Sequence, residues 1–308
     1  MSSVGAIAGM ILPRFEYEAP ESLEGALDLI AGAGGDAFVL AGGTDLLVKM
    51  KRGLARPRVV VSLRRVPSLS GIERTADGGL RIGPLTTMSA VAGNRLLTGP
   101  FIALAEGAAV VGGPAIRNRA TIGGNIVSAR PCADTMPPLV AFGASVRLVG
   151  PAGSRTASLE GFISGPGQPS MGRDEILAAI DVPASPARRG SCYLKFTRRA
   201  AMEVTVVGCA ASVDLEADRR TVARVRVVLA SVAPTRLRAR EAEDWLVGQV
   251  ADEGRIAHAA RAAANAACPI DDCRAPAAFR RQIVEVLARR ALRAAIGRAT
   301  GHLPKSGL

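Results

Sequence analysis

The sequence predicts an α+β protein, with two α/β subdomains followed by a separate α+β domain. Short apolar runs alternate with helical periodicity over residues 14–64, which indicates strands and helices in turn. Residues 65–183 contain paired apolar runs around turn residues, a pattern typical of hairpins, together with helical segments. Beyond residue 190, three long alternating runs precede three helical stretches. The last part therefore predicts a three-stranded antiparallel sheet covered by helices on one face.

Composition narrows the class of protein before any motif is considered. The chain has 308 residues, of which 48% are hydrophobic, so it can bury a sizeable core in two or three domains. Every apolar run falls short of the about 20 residues that a bilayer span requires. The mildly apolar residues 4–12 lack a basic leader, so we do not interpret them as a secretion signal. These features predict a soluble, cytoplasmic protein without a membrane span.

The charge of the chain and its cysteines exclude further classes. The formal net charge is +12, but the basic residues are scattered and aromatic residues amount to 3%, so we expect no nucleic-acid partner. The excess fits a solvated surface or a docking face for an acidic partner. The five cysteines are irregularly spaced, with no CxxC pair and no Cys/His cluster. We therefore expect neither a disulfide framework nor a metal site in this chain.

The first subdomain contains a strand, a glycine turn and a helix start within FVLAGGTDLL, residues 38–47. Here Gly42 and Gly43 can adopt positive φ and bring backbone N–H groups close to a ligand. Amides at a helix start suit a phosphate or diphosphate. A tight turn requires glycine with or without a ligand, so this pair alone does not establish a site. Around it we predict strands at 15–17, 37–40 and 58–63 and a helix over 22–31.

A second glycine segment, ATIGGN at residues 120–125, repeats this chemistry in the second subdomain. It follows a predicted hairpin at 72–82 and helices over 88–97 and 101–111. We interpret residues 121–125 as a loop whose Thr hydroxyl, glycine amides and Asn amide all face one way. Because each of the two segments also carries a threonine, we expect them to meet in one cleft and clamp a diphosphate.

Asp134 and Leu177 are further candidates whose ordinary roles are structural. Asp134 precedes Pro137 and Pro138, which suit the first turn of a helix that Gly143 ends. The more common role for Asp134 is therefore a helix N-cap, and a carboxylate there can also accept a ligand hydroxyl. Leu177 lies on a strand predicted at 175–182, after a hairpin at 145–157, where the ordinary role is core packing.

Residues 183–190, PASPARRG, are the best candidate for a linker to the last domain. Strands are predicted at 193–198, 204–215 and 222–232, and helices over 238–247, 254–267 and 277–296. In the final helix we expect one apolar face, with arginines opposite, formed by Phe279, Ile283, Val286 and Leu287.

Several segments in this order resemble one family. They are AGGTDLL at 41–47, ATIGGN at 120–125 with an aspartate after it, DEIL at 174–177, YLKFTRR at 193–199 and APTRLRAREAE at 233–243. Over residues 14–299 the chain is similar to the FAD-binding (medium) subunits of the molybdenum hydroxylase or xanthine dehydrogenase family, which include the medium subunit of aerobic carbon monoxide dehydrogenase and the beta subunit of hydroxybenzoyl-CoA reductase. The resemblance implies an FAD-binding fold of the vanillyl-alcohol-oxidase (PCMH) type in two subdomains, 14–64 and 65–183. A C-terminal flavoprotein domain at 190–300 would follow.

The resemblance also implies which residues bind non-covalent FAD. The diphosphate would lie against two segments, whose residues are Val39, Leu40, Ala41, Gly42, Gly43, Thr44, Asp45 and Leu46 in the first and Thr121, Ile122, Gly123, Gly124 and Asn125 in the second. Asp134 would accept a hydrogen bond from the ribityl chain or an adjoining part of the cofactor. Leu177 would pack on the flavin ring, and Lys195 would reach its polar edge, where positive charge stabilises the anionic reduced ring.

By the same resemblance, the chain transfers electrons and has no catalytic side chains of its own. A large subunit with molybdopterin would oxidise the substrate, and a small subunit with 2Fe–2S clusters would relay electrons to FAD and then to an external acceptor. The assembly would be a dimer of heterotrimers. Thr44 and Asp45 stand where carbon monoxide dehydrogenases tend to carry His-Ser, which argues against carbon monoxide as the substrate.

Two alternatives remain open from the sequence. One is a self-contained flavin oxidase or reductase of the same fold, although two tyrosines in the whole chain offer little for a substrate site. The other is a non-catalytic module that binds phosphate or nucleic acid through the glycine segments and arginines.

Overall fold

A computed structural model describes residues 12–301, which form three consecutive units. The first unit contains a parallel sheet in the order β1-β3-β2. Its central strand is buried at every residue, as expected for a parallel strand with both faces covered. The elements are β1 (Glu16–Glu18), α1 (Leu23–Gly32), β2 (Ala37–Leu40), α2 (Leu46–Lys51) and β3 (Val59–Ser62). The predicted series of strands and helices with parallel pairing is confirmed.

The second unit contains a five-stranded antiparallel sheet in the order β4-β5-β10-β6-β7. Both predicted hairpins, β4-β5 and β6-β7, are present, and the helices pack against this sheet. The elements are β4 (Ile72–Arg74), β5 (Leu80–Ile82), α3 (Met88–Ala92), α4 (Ile102–Ala109), α5 (Pro114–Arg117), α6 (Ile122–Val127), α7 (Met136–Phe142), β6 (Ser145–Gly150), β7 (Gly153–Ser158), β8 (Ile163–Gly165), β9 (Gln168–Pro169) and β10 (Ile176–Val182).

The third unit contains the predicted antiparallel meander, with three helices on it. A short fourth strand, β14, extends the sheet, so the prediction of three strands was one too few. The elements are β11 (Arg189–Phe196), β12 (Val207–Leu215), β13 (Val222–Ala230), β14 (Leu237–Arg238), α8 (Arg240–Leu246), α9 (Glu253–Ala266) and α10 (Ala277–Thr300).

The buried face of α10 differs from the predicted one. Phe279 and Val286 are 38% and 43% exposed, whereas Val284 and Leu287 are buried. Arg280 is also buried, because its guanidinium donates to the carbonyls of Val206 and Ser231 and to Asp272. These acceptors allow Arg280 to be buried, while Phe279 and Val286 lie on the part of the helix that is exposed.

One hydrophobic core continues from the second unit into the third. Tyr193, Ala210 and Val228 of the meander belong to the same buried cluster as the helices and sheet of residues 80–182. At the same boundary, Glu106 accepts from the Tyr193 backbone amide at 2.7 Å and from Arg298 at 2.6 Å. The meander is therefore packed onto the second unit and is not tethered to it by a flexible linker alone.

In the part of the chain from 12 to 301, no helix has the length and apolarity required to cross a bilayer.

Candidate FAD site

The first glycine segment has the predicted strand, turn and helix. Strand β2 ends at Leu40, and α2 begins at Leu46. Between them Gly43 has a φ of +78°, which only glycine adopts without strain. A Cβ at Gly43 would also lie 3.2 Å from the side chains of Leu40 and Leu47. The positive φ favours glycine at this position, and the two leucine side chains would also have to shift slightly to admit a Cβ.

The backbone amides of this turn are available to a ligand. Within residues 12–301, the N–H groups of Gly42, Gly43, Thr44 and Asp45 have no hydrogen-bond acceptor. The first amide with a protein acceptor is that of Leu47, which donates to the Gly43 carbonyl at 3.0 Å. Buried or half-buried N–H groups in native proteins are nearly always paired. The unpaired amides of the half-buried Gly42, Gly43 and Thr44 therefore indicate an anion or water at this turn, next to the exposed Asp45 amide.

The second glycine segment is folded differently from the prediction. Residues 121–125 form the start of α6, where Thr121 is the N-cap and accepts from the Gly124 amide at 3.1 Å. The Ile122 and Gly123 amides donate to the carbonyls of Thr86 and Pro84, and the Asn125 amide donates to Thr121. The prediction of a loop was wrong, because residues 122–127 are helical and the amides of both glycines are bonded within the protein.

What this segment still offers a ligand is its side chains. The Asn125 Oδ1 accepts from the Thr135 hydroxyl at 2.7 Å, which orients the Asn125 amide group. In the described part of the chain, its Nδ2 and the Thr121 hydroxyl hydrogen have no acceptor. The segment thus contributes two polar side chains where the first contributes backbone amides.

The two glycine segments meet, as predicted from the sequence. A Cβ at Gly42 would lie 2.0 Å from the Arg119 carbonyl oxygen and 3.0 Å from the Ala120 Cα. Both segments line one cavity of about 140 Å³. Residues of the first segment in its wall are Ala41 and Gly42, and that of the second is Thr121. Gly42 therefore allows close contact between the segments, while Gly43 makes the turn.

Two arginines that the sequence analysis missed also line this cavity, Arg64 and Arg119. Both are exposed, and within residues 12–301 neither forms an ion pair with a carboxylate. Arg119 directly precedes ATIGGN, so its position in the sequence was a usable signal. Arg64 follows β3 and has no local signal, since only the fold brings it to this cavity. Together they make the cavity electropositive.

The remaining residues of the first segment lie around this turn. Val39 is 36% exposed, and Asp45 is also exposed. Leu40, Thr44 and Leu46 are half-buried.

Asp134 is the centre of a buried polar cluster and does not cap a helix. Thr135 occupies the N-cap position of α7, without a side-chain cap. The Asp134 Oδ1 instead accepts from the hydroxyls of Tyr193 and Thr205, each at 2.6 Å. Its Oδ2 accepts from the Lys195 Nζ at 3.0 Å. The N-cap prediction was wrong because the carboxylate has stronger partners on the C-terminal meander.

Burial and hydrogen bonding have opposite effects on this carboxyl group. Burial raises the pKa of Asp134, whereas the Lys195 ammonium and the hydroxyls of Thr205 and Tyr193 act to lower it. Burial, together with the adjacent carboxylate, raises the pKa of the Tyr193 hydroxyl well above its usual value. Tyr193 is therefore a neutral hydrogen-bond donor to Asp134.

Lys195 and Leu177 lie in different surroundings. The Lys195 Nζ also donates to the Val110 carbonyl at 3.1 Å, and 9% of its side chain is exposed. Leu177 is 5% exposed and belongs to the main hydrophobic core, opposite Leu148 on β6. Its ordinary role as a core residue is confirmed, and contact with a flavin ring stays a prediction.

Comparison with known proteins places this arrangement in one family. Residues 13–185 match the family model for the FAD binding domain in molybdopterin dehydrogenase, and residues 192–295 match that for the CO dehydrogenase flavoprotein C-terminal domain. The carbon monoxide dehydrogenase medium chain of Hydrogenophaga pseudoflava is 35% identical, over 94% of this chain and 99% of that protein. A xanthine dehydrogenase FAD-binding subunit from Escherichia coli is 31% identical, over 93% of this chain and 98% of that protein.

Solved structures agree with these relatives. The chain superposes on the carbon monoxide dehydrogenase of Hydrogenophaga pseudoflava with a TM-score of 0.89, at 35% identity, covering 94% of this chain and 99% of that one. It superposes on the quinoline 2-oxidoreductase of Pseudomonas putida with a TM-score of 0.87, at 27% identity, covering 96% and 100%. The chain therefore belongs to the family of FAD-binding medium subunits of molybdenum hydroxylases, and its cofactor is FAD.

Proposed function

We propose that this chain binds FAD between its two glycine segments and passes electrons from the 2Fe–2S clusters of a partner subunit to an external acceptor. The observation that carries the proposal is the electropositive cavity where the segments meet, next to four unpaired amides. The relatives bear the names of chains or subunits of larger enzymes, which favours this function over a self-contained flavin oxidase.

The residues present fit the diphosphate of FAD. A diphosphate carries negative charge and many acceptor oxygens, so it requires donors and compensating positive charge. The amides from Gly42 to Asp45 supply donors, and the side chains of Thr121 and Asn125 can add two more. Val39, Leu40, Leu46 and the segment Ile122–Gly124 would complete the walls.

Lys195 and Asp134 would act at the other end of the cofactor. FAD, when bound, supplies the ability to accept electrons from one carrier and release them to another. The Lys195 ammonium has one N–H that is not used by Asp134 or Val110, and it would face the ring. From the described residues Asp134 Oδ2 accepts one bond, from Lys195, so it can also accept a ribityl hydroxyl.

The family to which the chain belongs also suggests its partner subunits. We propose a large molybdopterin subunit, a small 2Fe–2S subunit and a dimer of such heterotrimers in the cytoplasm. The names of the relatives support a multi-subunit enzyme.

FAD binding is tested on the purified full chain. We expect the absorbance of an oxidised flavin, and we expect denaturation to release unmodified FAD, identified by chromatography against FMN and riboflavin. A Gly43→Val variant should lose the flavin, because the side chain is incompatible with a φ of +78°. Failure of the wild-type chain to take up FAD after reconstitution would contradict the proposal.

The partners are tested separately. Untagged proteins that copurify with the chain from its native host should include two subunits, and metal analysis of the complex should find molybdenum and iron. If the chain is purified without partner subunits and without either metal, the proposed electron-transfer role is refuted. The proposal that the chain binds FAD would still stand.

A further inference from the structure

The Asp134 cluster joins the second unit to the C-terminal meander. Asp134 lies between α6 and α7, whereas Tyr193 and Lys195 lie on β11 and Thr205 lies two residues before the start of β12. Residues 193 and 195 are two apart on one strand, so their side chains point to the same face. Asp134, Tyr193 and Thr205 are between 2% and 5% exposed. Lys195 is thus held by a carboxylate from a different unit of the protein.

We propose that Asp134, Tyr193 and Thr205 are positioning residues that fix the Lys195 ammonium and thereby set the redox potential of the bound FAD. The proposal rests on the proposed function, in which Lys195 reaches the flavin ring. It adds that the position of the positive charge is set by two hydroxyl groups that do not themselves reach the cofactor.

The two oxygens of the Asp134 carboxylate have different partners, which supports this role. Both hydroxyls donate to Oδ1, and among residues 12–301 Lys195 alone donates to Oδ2. Because Oδ1 is occupied, the ammonium is confined to one oxygen and to the Val110 carbonyl. A lysine side chain otherwise has many rotamers, and ordering it in one of them requires such partners.

The hydroxyls also keep the carboxylate charged. Burial disfavours an ionised carboxyl group, and hydrogen bonds to the ionised form offset that effect. If either hydroxyl were lost, the Asp134 carboxylate would no longer be held in one orientation, and the Lys195 ammonium would move away from its place at the ring. A positive charge near the ring stabilises the reduced, anionic flavin, so the midpoint potential of FAD falls when that charge moves away.

The test measures the midpoint potential of FAD bound to the full chain by spectroelectrochemical titration. Tyr193→Phe and Thr205→Val each remove one hydroxyl without changing the formal charge. We expect both to lower the potential, and Thr205→Ser to restore it. Lys195→Met should disfavour the reduced cofactor about tenfold, or about 30 mV for a two-electron couple.

Two comparisons separate positioning from a merely structural role. Tyr17→Phe removes the other tyrosine hydroxyl of the chain, which is on an exposed residue of the first unit, and should leave the potential unchanged. In a Lys195→Met background, Tyr193→Phe and Thr205→Val should no longer lower the potential, because they act through the lysine. If Lys195→Met does not fold, the Thr205→Val and Thr205→Ser pair decides the question.

Potentials equal to that of the wild type in both hydroxyl variants, with normal FAD content, would overturn this inference and leave FAD binding standing. Equal shifts with and without Lys195 would overturn it as well. A wild-type chain that binds no FAD would overturn both this inference and the proposed function.

Discussion

Replacing Gly42 with alanine tests whether contact between the two glycine segments creates the FAD site. The new Cβ would lie 2.0 Å from the Arg119 carbonyl oxygen and 2.8 Å from its carbon. These are backbone atoms, so no side-chain rotation relieves the overlap and the segments must move apart. Forcing an extra methyl group into a packed contact costs about 1–3 kcal/mol.

That cost should appear in cofactor binding, because the FAD-competent arrangement is the one with the segments in contact. A free energy of about 1–3 kcal/mol corresponds to a Kd for FAD raised about 5- to 150-fold. The assay is a titration of the apoprotein with FAD, in which binding is measured by the quenching of flavin fluorescence.

The matched control is Gly32→Ala, at the end of α1, where a Cβ meets no atom within 4 Å. It should leave the Kd for FAD unchanged. Gly42→Ala with the FAD affinity of the wild type would show that the contact is not required, and the reasoning from the shared cavity would fail.

Three further predictions concern charged residues. Arg119→Ala should weaken FAD binding about tenfold, or about 1.4 kcal/mol, and reduce the salt dependence of the Kd. The control is Arg290→Ala, which removes an exposed arginine on α10. If the Kd for FAD depends on salt equally in the wild type and in Arg119→Ala, this charge has no role in binding. Arg189→Met should destabilise the chain by about 3–5 kcal/mol in urea unfolding, because it leaves Asp214 buried without its partner at 2.7 Å. An added Asp214→Leu should recover much of that loss, and wild-type stability of Arg189→Met alone would contradict it. Arg293 and Arg289 lower the pKa of Glu253 from its ordinary 4.5 to about 2, so the stability from this group is present above pH 4.5 and is lost as the pH falls towards 2. Glu253→Gln should remove that part of the acid dependence of thermal unfolding at low salt, and identical pH profiles would refute it.

Most elements and their order could be predicted because local patterns determine them. Strand β2, the turn at Gly43 and the start of α2 follow from an apolar run, a glycine and renewed helical periodicity. The need for glycine at position 42 could not be predicted in the same way. It arises from contact with the Arg119 carbonyl, which is remote along the chain and leaves no local pattern.

The loop predicted for the second glycine segment and the N-cap role predicted for Asp134 were wrong for a related reason. Two adjacent glycines disfavour a helix, yet Gly123 and Gly124 lie in α6, where long-range bonds such as that from the Gly123 amide to the Pro84 carbonyl outweigh propensity. Asp134 has the sequence context of an N-cap, but Tyr193 and Thr205 come from another unit and bind it instead. In both cases residues that are distant along the chain determine the local structure, and a short stretch of sequence does not contain them.

The continuous core across the boundary near residue 190 also limits how this chain could be recombined. Two family models divide the sequence there, which suggests a convenient point for making chimeras with relatives. Yet Tyr193, Ala210 and Val228 fill space among side chains of the preceding half. A half borrowed from a relative would bring side chains of different shape to that seam, leaving voids or overlaps. Swaps at this point should succeed only when the seam residues are exchanged together with the half that they accompany.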